Sequence, residues 1–103
     1  MQDSLKGHVD LLLLSVLGDA PTHGYGLVEA LRERSEGAFD LAEGTVYPAL
    51  YRLERQGLVE SSWEAGRTRR RRVYRLTRKG VAELRRERAA WDRHVHAMRT
   101  VLS

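Results

Sequence analysis

Apolar side chains recur at helical spacing in the first third of the chain and predict two helices there. The first covers residues 5–17, which are almost all apolar from Val9 onward, so we expect it to be the most buried helix. The second covers residues 23–35, with Thr22 as its N-cap and Gly37 at its C′ position. Between them, glycine and proline interrupt the apolar pattern.

A third helix is predicted from residue 43 or 44 to residue 56, and it contains a proline. The ring of Pro48 would crowd the carbonyl of Gly44 at the helix entrance, where the cost is small. Its inward positions are Val46, Ala49, Leu50 and Leu53, and its outward face carries Thr45, Pro48, Arg52 and Arg55, flanked by Tyr47 and Tyr51. That face suits contact with sugar–phosphate and thymine methyl groups. The two tyrosines could instead only cover the edge of the core.

After Gly57 the pattern changes to alternation, which predicts a β-hairpin. Its strands cover residues 58–64 and 71–77, with Trp63 expected to anchor the sheet to the core. Three helices followed by a hairpin are the order of a winged helix-turn-helix. In that arrangement the third helix enters the major groove and the hairpin lies along the backbone or in the minor groove.

A long final helix, capped by Thr77, is predicted over residues 78–102. At about 1.5 Å per residue it would be about 37 Å long, more than a small domain needs for its own core. Its apolar positions alternate in steps of three and four, as in a coiled coil, so we expect it to pair with a second chain. The first helix could instead cover part of this seam. The predicted dimer seam consists of Val81, Leu84, Arg88, Trp91, Val95, Met98 and Leu102.

The predicted fold is therefore mainly α with a small β-hairpin. Residues 1–77 form a winged helix-turn-helix domain, and residues 78–103 form a C-terminal dimerisation helix. At 103 residues, the chain is long enough for one modest core.

Positive charge is concentrated in one short segment. The net charge is +4, yet residues 1–65 carry five basic and eleven acidic side chains. Residues 66–79, by contrast, carry eight basic side chains and no acidic one. So compact a basic segment implies an acidic partner, most commonly nucleic acid. RNA is less favoured than duplex DNA because the aromatic stacking surfaces of RNA readers are missing from the sequence.

The sequence lacks the metal-ligand, nucleophile and phosphate-loop motifs on which many enzymes depend. There is no cysteine, and the four histidines have no metal-ligand spacing; His94 and His96 lie about 200° apart around a helix. No serine, threonine or acid stands in a nucleophile or phosphate-loop context. The apolar run at residues 9–17 is too short to span a membrane and contains Asp10. We therefore expect a cytoplasmic, non-enzymatic protein without a cofactor.

Four stretches of the chain match one family in order: HGYGLVEAL (23–31), GTVYPALYRLERQGLVES (44–61), GRTRRRRVYRLTRKG (66–80) and the long final helix. On these, the chain resembles the PadR family of bacterial transcriptional regulators, and TVYPALYRLERQGLV and YRLTRKG are its specific blocks. Two features depart from the family pattern. Val73 stands where relatives usually have an aromatic residue before Tyr74, and Arg78 and Lys79 stand where acidic residues are common. Basic residues in a first turn oppose the helix dipole. This sequence therefore suggests that some stability at the helix start is given up for contact with DNA.

The resemblance implies a homodimeric repressor that binds an inverted-repeat operator in double-stranded DNA. It also implies DNA contact by Tyr47, Pro48 and the basic wing, Arg67, Arg69, Arg70, Arg71 and Arg72. Some relatives bind aromatic drugs between paired helices, which makes Trp91 a candidate contact for a small aromatic effector. The plainer interpretation of Trp91 is a dimer-core aromatic. The alternative function is a winged-helix module that binds protein and not DNA.

Overall fold

The computed structural model describes residues 2–65 and 70–103, and the side chains of residues 8–64 and 71–103. The elements are α1 (Gln2–Asp19), β1 (Thr22–His23), α2 (Gly24–Arg34), α3 (Glu43–Arg55), β2 (Val59–Ala65), β3 (Arg70–Leu76) and α4 (Arg78–Leu102). These residues are mainly helical, and the three strands form one antiparallel sheet in the order β1-β3-β2. The predicted winged helix-turn-helix architecture, with its long last helix, is confirmed.

The predicted hairpin is part of a three-stranded sheet, because β1 pairs with β3 through Thr22 opposite Tyr74. Thr22 is therefore not the N-cap of α2, and that prediction is wrong. The cap is His23, whose Nδ1 accepts a hydrogen bond from the backbone N–H of Gly26 at 3.1 Å. A two-residue strand is too short to show an alternating pattern.

The end of α2 is a Schellman motif placed one residue earlier than predicted. Glu36 has a φ of +52° and occupies the C′ position, and Gly37 follows it with a φ of +88°. The N–H of Gly37 donates to the carbonyl of Arg32 at 2.8 Å, and the N–H of Glu36 donates to the carbonyl of Glu33 at 3.1 Å. Gly37 is thus at C″, not at C′.

The core lies where α1, α2 and α3 pack together against the sheet. Its fully buried side chains come from all three helices and β2, which explains why the apolar pattern identified the helices. The predicted inward face of α3 is confirmed, since Val46, Ala49, Leu50 and Leu53 are all buried. The largest fully buried side chains are Leu13, Leu14, Leu27, Leu50, Leu53, Val46 and Val59.

The start of α4 is fixed to the turn between α3 and β2. Thr77 caps the helix as predicted, accepting from the N–H of Gly80 at 3.0 Å, and its hydroxyl donates to the carbonyl of Gly57 at 2.6 Å. A Cβ at Gly80 would overlap the carbonyl oxygen of Leu58. Lys79 Nζ donates to the carbonyl of Gln56 at 2.8 Å, just beyond the end of α3. Lys79 therefore serves the α3 terminus, where a cation is favourable.

Beyond its first turns, α4 leaves the body of the domain. Its buried residues are Gly80 and Leu84, and Leu84 packs beside Gly18 of α1. Arg88 still reaches α1, donating to Ser15 Oγ at 3.1 Å. The first helix thus contacts the predicted seam at Leu84 and Arg88, whereas Val81, Met98 and Leu102 are exposed. In the part of the chain that the structure describes, no helix combines the length and apolarity needed to cross a membrane.

Candidate nucleic-acid interface

The outward face of α3 is solvent-exposed along its whole length. Thr45, Pro48 and Arg55 are exposed, as are Tyr47 and Tyr51 at its edge. Pro48 is the sixth residue of the helix, in its second turn and not at the end of the first, because α3 begins at Glu43 after the Ala42 cap. Its ring replaces the N–H that would otherwise bond the carbonyl of Gly44.

The ring of Tyr47 packs directly against Gly24 on the neighbouring helix, in the space that a side chain would fill. A Cβ on Gly24 would overlap the ring and hydroxyl of Tyr47. Gly24 is the first residue of α2, so the phenol lies across the start of that helix. The glycine therefore lets the front ends of the two helices of the turn pair approach closely.

Tyr51 is 64% exposed and lies beneath the guanidinium of Arg55, which is 5.8 Å from its ring centroid. A side chain with that exposure does little to cover the core edge. The pair is a cation–π contact on the outer surface of α3. It presents a flat ring and a positive charge side by side.

Arg52 is not free on the outward face. Its guanidinium bonds the carboxylate of Asp10 on α1, so in the chain as described it ties α3 to the first helix. The sequence placed Arg52 on the helix face correctly but gave no sign of this distant acid.

The wing comprises β2, β3 and the turn between them, and two of its described arginines lie on opposite faces. The register places Arg72 opposite Trp63 and Arg71 opposite Glu64, so Arg71 and Arg72 lie on opposite sides of the sheet. Arg72 stacks over Trp63 at 5.1 Å from the ring centroid. Because Trp63 is 53% exposed, its predicted role as a core anchor is wrong. It lies further out along the wing than Val59, which the core buries.

A chain of hydrogen bonds fixes the wing to α3. The hydroxyl of Ser61 donates to Glu54 Oε2 at 2.7 Å, and Arg72 Nε donates to the same hydroxyl oxygen at 2.8 Å. Tyr74 is buried next to this relay, and burial raises the pKa of its hydroxyl, with Arg72 acting in the opposite direction. The relay sets the distance between the wing and the outward face of α3.

The structure does not describe the side chains of three of the predicted wing arginines. Arg67 and Arg69 lie outside the described residues. Arg70 is described for its backbone, which pairs with Ala65 in the hairpin. Their contacts with DNA stay a prediction.

A concave surface of about 570 Å³ lies between the start of α2, the start of α3 and the wing. Tyr47, Arg71 and Arg72 line it, together with His23 and Tyr25. Neither His23 nor Tyr25 was among the predicted site residues. The signal that could have found them is their position at the N-terminus of α2, where His23 is the cap and Tyr25 lies in the first turn, because the first N–H groups of a helix have no partner within it.

An exposed helix beside a basic wing, joined by short turns to a three-helix core, defines a winged-helix regulator of transcription. Residues 13–86 match the sequence model described as the transcriptional regulator PadR-like family. The chain belongs to this family, which confirms the resemblance drawn from its motifs.

Individual relatives agree over nearly the full length of the chain. The transcriptional regulator Rv3488 of Mycobacterium tuberculosis is 37% identical over 92 residues, or 89% of this chain and 83% of the relative. The structure of a PadR family transcriptional regulator from Eggerthella lenta is 34% identical, with a TM-score of 0.85 over 97% of this chain and 87% of the other. A transcriptional regulator from Clostridium thermocellum is similar at a TM-score of 0.88 and 27% identity, covering 97% and 95% of the two chains.

Proposed function

We propose that this regulator is a homodimeric repressor that binds an inverted-repeat operator with α3 in the major groove and the wing along the backbone. The observation that carries the proposal is the Glu54–Ser61–Arg72 relay, which ties the guanidinium of Arg72 on the wing to α3. Preset spacing of this kind lets one surface engage both a groove and the adjacent phosphates.

The side chains divide between groove and backbone by their chemistry. On α3, hydroxyl, proline ring and phenol groups suit sugar, thymine methyl and phosphate contact; the wing guanidiniums suit phosphates or the minor groove. The proposed groove residues are Thr45, Tyr47, Pro48, Tyr51, Arg52 and Arg55, and the proposed backbone residues are Arg67, Arg69, Arg70, Arg71 and Arg72.

The wing is tested by replacing Arg70 and Arg71 together with alanine. Binding to duplexes of every sequence should weaken, and the salt dependence should fall by about two phosphate contacts, because each arginine releases counterions when it binds. The measurement is fluorescence anisotropy across a salt series. Arg85→Ala with Arg86→Ala, an adjacent exposed pair on α4, removes the same charge and should leave the salt slope unchanged. An unchanged slope in the wing variant would show the wing does not touch DNA.

We also propose that a small aromatic effector binds in a groove between α1 and α4 and releases the regulator from DNA. The groove has a volume of about 430 Å³, and its lining includes Leu11, Leu12, Phe39 and Trp91. Trp91 is 41% exposed, with the ring of His8 edge-on at a centroid distance of 4.9 Å. A planar aromatic ligand could stack on the exposed part of the indole, gaining about 0.5–1.5 kcal/mol beyond area burial. It releases DNA only if it binds one arrangement of the dimer better than the other.

A panel of planar aromatic compounds tests the effector site by two readouts in one titration. Compounds that enter the groove should quench Trp91 fluorescence and weaken DNA binding at the same concentrations. Trp63→Phe is needed as the background because the exposed indole of Trp63 lies on the wing and would respond to DNA itself. Quenching without loss of DNA affinity would show a binding groove that is not coupled to DNA.

A further inference from the structure

Two hydrogen-bond donors face each other where β1 meets the wing. His23 Nε2 lies 3.3 Å from Arg71 Nη1. On the other side of the same ring, Nδ1 accepts the backbone N–H of Gly26 as the N-cap of α2. A neutral imidazole has one acceptor nitrogen, and the cap uses it, so Nε2 carries the proton. The guanidinium has donors only.

Two donors at that separation cannot bond each other, and each lacks a partner along this line. An oxygen acceptor placed beside both would satisfy the two together, and an anionic oxygen would also neutralise the arginine. Glu64 stands opposite Arg71 in the hairpin register. The ion pairs found among described side chains, however, do not include one between them.

The surroundings restrict what the anion can be. The pair opens into the concave surface at the start of α2, which Tyr25, Tyr47 and Arg72 also line. Glu29 and Glu43 line the same surface and disfavour a small, highly charged anion that diffuses freely. A phosphodiester carries a single charge and is brought to this place by the rest of its strand.

We propose that His23 and Arg71 together clamp one DNA backbone phosphate, with Nε2–H and the guanidinium donating to its oxygens. The clamp rests on the proposed DNA-binding function and adds a residue from β1 to the interface. It would fasten the wing and the helix-turn-helix to the same phosphate. His23 then does two things at once, capping α2 through Nδ1 and binding DNA through Nε2.

The test separates these two roles of His23. His23→Asn keeps a side-chain oxygen that can cap α2 but removes the imidazole donor; His23→Ser is a second capping variant. The probe is a mixed-sequence duplex of about three helical turns, titrated at low salt with the full chain. His23→Asn should bind about tenfold more weakly, the loss typical of one charge-assisted hydrogen bond, at an unchanged Tm.

A double-mutant cycle with Arg71→Gln identifies the shared phosphate. Each single variant should weaken binding about tenfold, but the double variant should bind only slightly worse than either, because both lose the same contact. Arg75→Gln is the matched control. It removes a charge from the same face of β3, where Arg75 donates to Ser62 Oγ at 3.3 Å, and its effect should multiply with that of His23→Asn.

The outcomes distinguish the clamp from the function on which it rests. If the unaltered protein does not bind duplex DNA at low salt, the DNA-binding proposal fails and the clamp fails with it. If the unaltered protein binds, but both capping variants bind equally well, only the clamp is overturned. Independent, multiplying effects of His23→Asn and Arg71→Gln would likewise overturn the shared phosphate.

Discussion

Arg52 shows how one residue can belong to two surfaces. It lies on the proposed DNA-binding helix, yet its guanidinium bonds Asp10 of α1, and its side chain is 50% exposed. Ion pairs this open contribute at most about 1 kcal/mol. A DNA phosphate brought close to α3 can therefore compete with Asp10 for the same guanidinium.

At the residue scale, we predict that Asp10→Asn tightens DNA binding by a few-fold. The substitution releases Arg52 from its carboxylate and costs little stability, since half of the Arg52 side chain and about a third of that of Asp10 are open to solvent. The measurement is duplex affinity in a cycle with Arg52→Ala, in which the gain should disappear. If the gain in affinity persists in the Arg52→Ala background, its cause is the loss of one negative charge near the DNA and not the release of Arg52.

Asp19→Asn is the matched control, because Asp19 also lies on α1 and bonds an arginine, Arg34 of α2, at 2.7 Å. It removes the same charge from the same helix without touching α3. We expect it to leave DNA affinity unchanged.

At the scale of elements, the contact between α1 and α4 contains a carboxyl group whose pKa is raised. Glu87 lies at this contact beside Trp91 and His8. Partial burial is the largest cause that raises the pKa of Glu87, followed by the charges of Glu83 and Asp10, whereas His8 acts in the opposite direction. The folded chain thus favours the protonated carboxyl more than the unfolded chain does.

We predict that Glu87→Gln raises the Tm at about pH 7 and leaves it unchanged at about pH 3.5. A raised folded pKa contributes stability below the ordinary glutamate pKa, and that contribution is lost as the pH rises through the folded value. Glutamine imitates the protonated form and so keeps it. Thermal unfolding at the two pH values measures the difference, with Glu33→Gln on the exposed surface of α2 as control. A Tm gain that is equal at both pH values would contradict the charge argument.

Which elements the sequence could predict depended on how many residues carry the signal. The 25-residue α4 has the predicted ends, since a cap and seven periodic positions define it. β1 was missed because two residues show no period. The prediction for Trp63 was wrong and the prediction for Arg52 lacked its partner. Their partners, Arg72 and Asp10, are set by strand register and by packing between distant segments. Side-chain spacing along a single element contains no information on either.

At the scale of the whole molecule, α4 carries apolar side chains that its own domain does not cover. The chain measures 54 Å along its longest axis, and Met98 and Leu102 on the far part of α4 are 48% and 75% exposed. Leu84, by contrast, is buried within the chain, so the uncovered apolar positions of the proposed seam are Val81 and those that follow Leu84.

We predict that Trp91→Glu with Val95→Glu converts a dimer to a monomer in analytical ultracentrifugation. Two carboxylates in an apolar seam would be desolvated without partners, a cost larger than such a seam can offset. Ala89→Glu with Thr100→Glu adds the same charge on the opposite side of α4 and should leave the mass of a dimer. An unchanged mass in the seam variant would exclude this helix as the interface.

The fixed start of α4 gives the helix a mechanical role. Its first turn is joined by Thr77 and Lys79 to the segment that ends α3, and no room remains there for even a methyl group at Gly80. Contacts with α1 hold the helix as far as Trp91. The rest of α4, which ends at Leu102, extends about 16 Å beyond them, so a tilt of about 5° there displaces the tip by about 1.4 Å. A larger swing of the tip must break those contacts or carry α1 with it, so the direction of α4 is set jointly by α1 and by the end of α3.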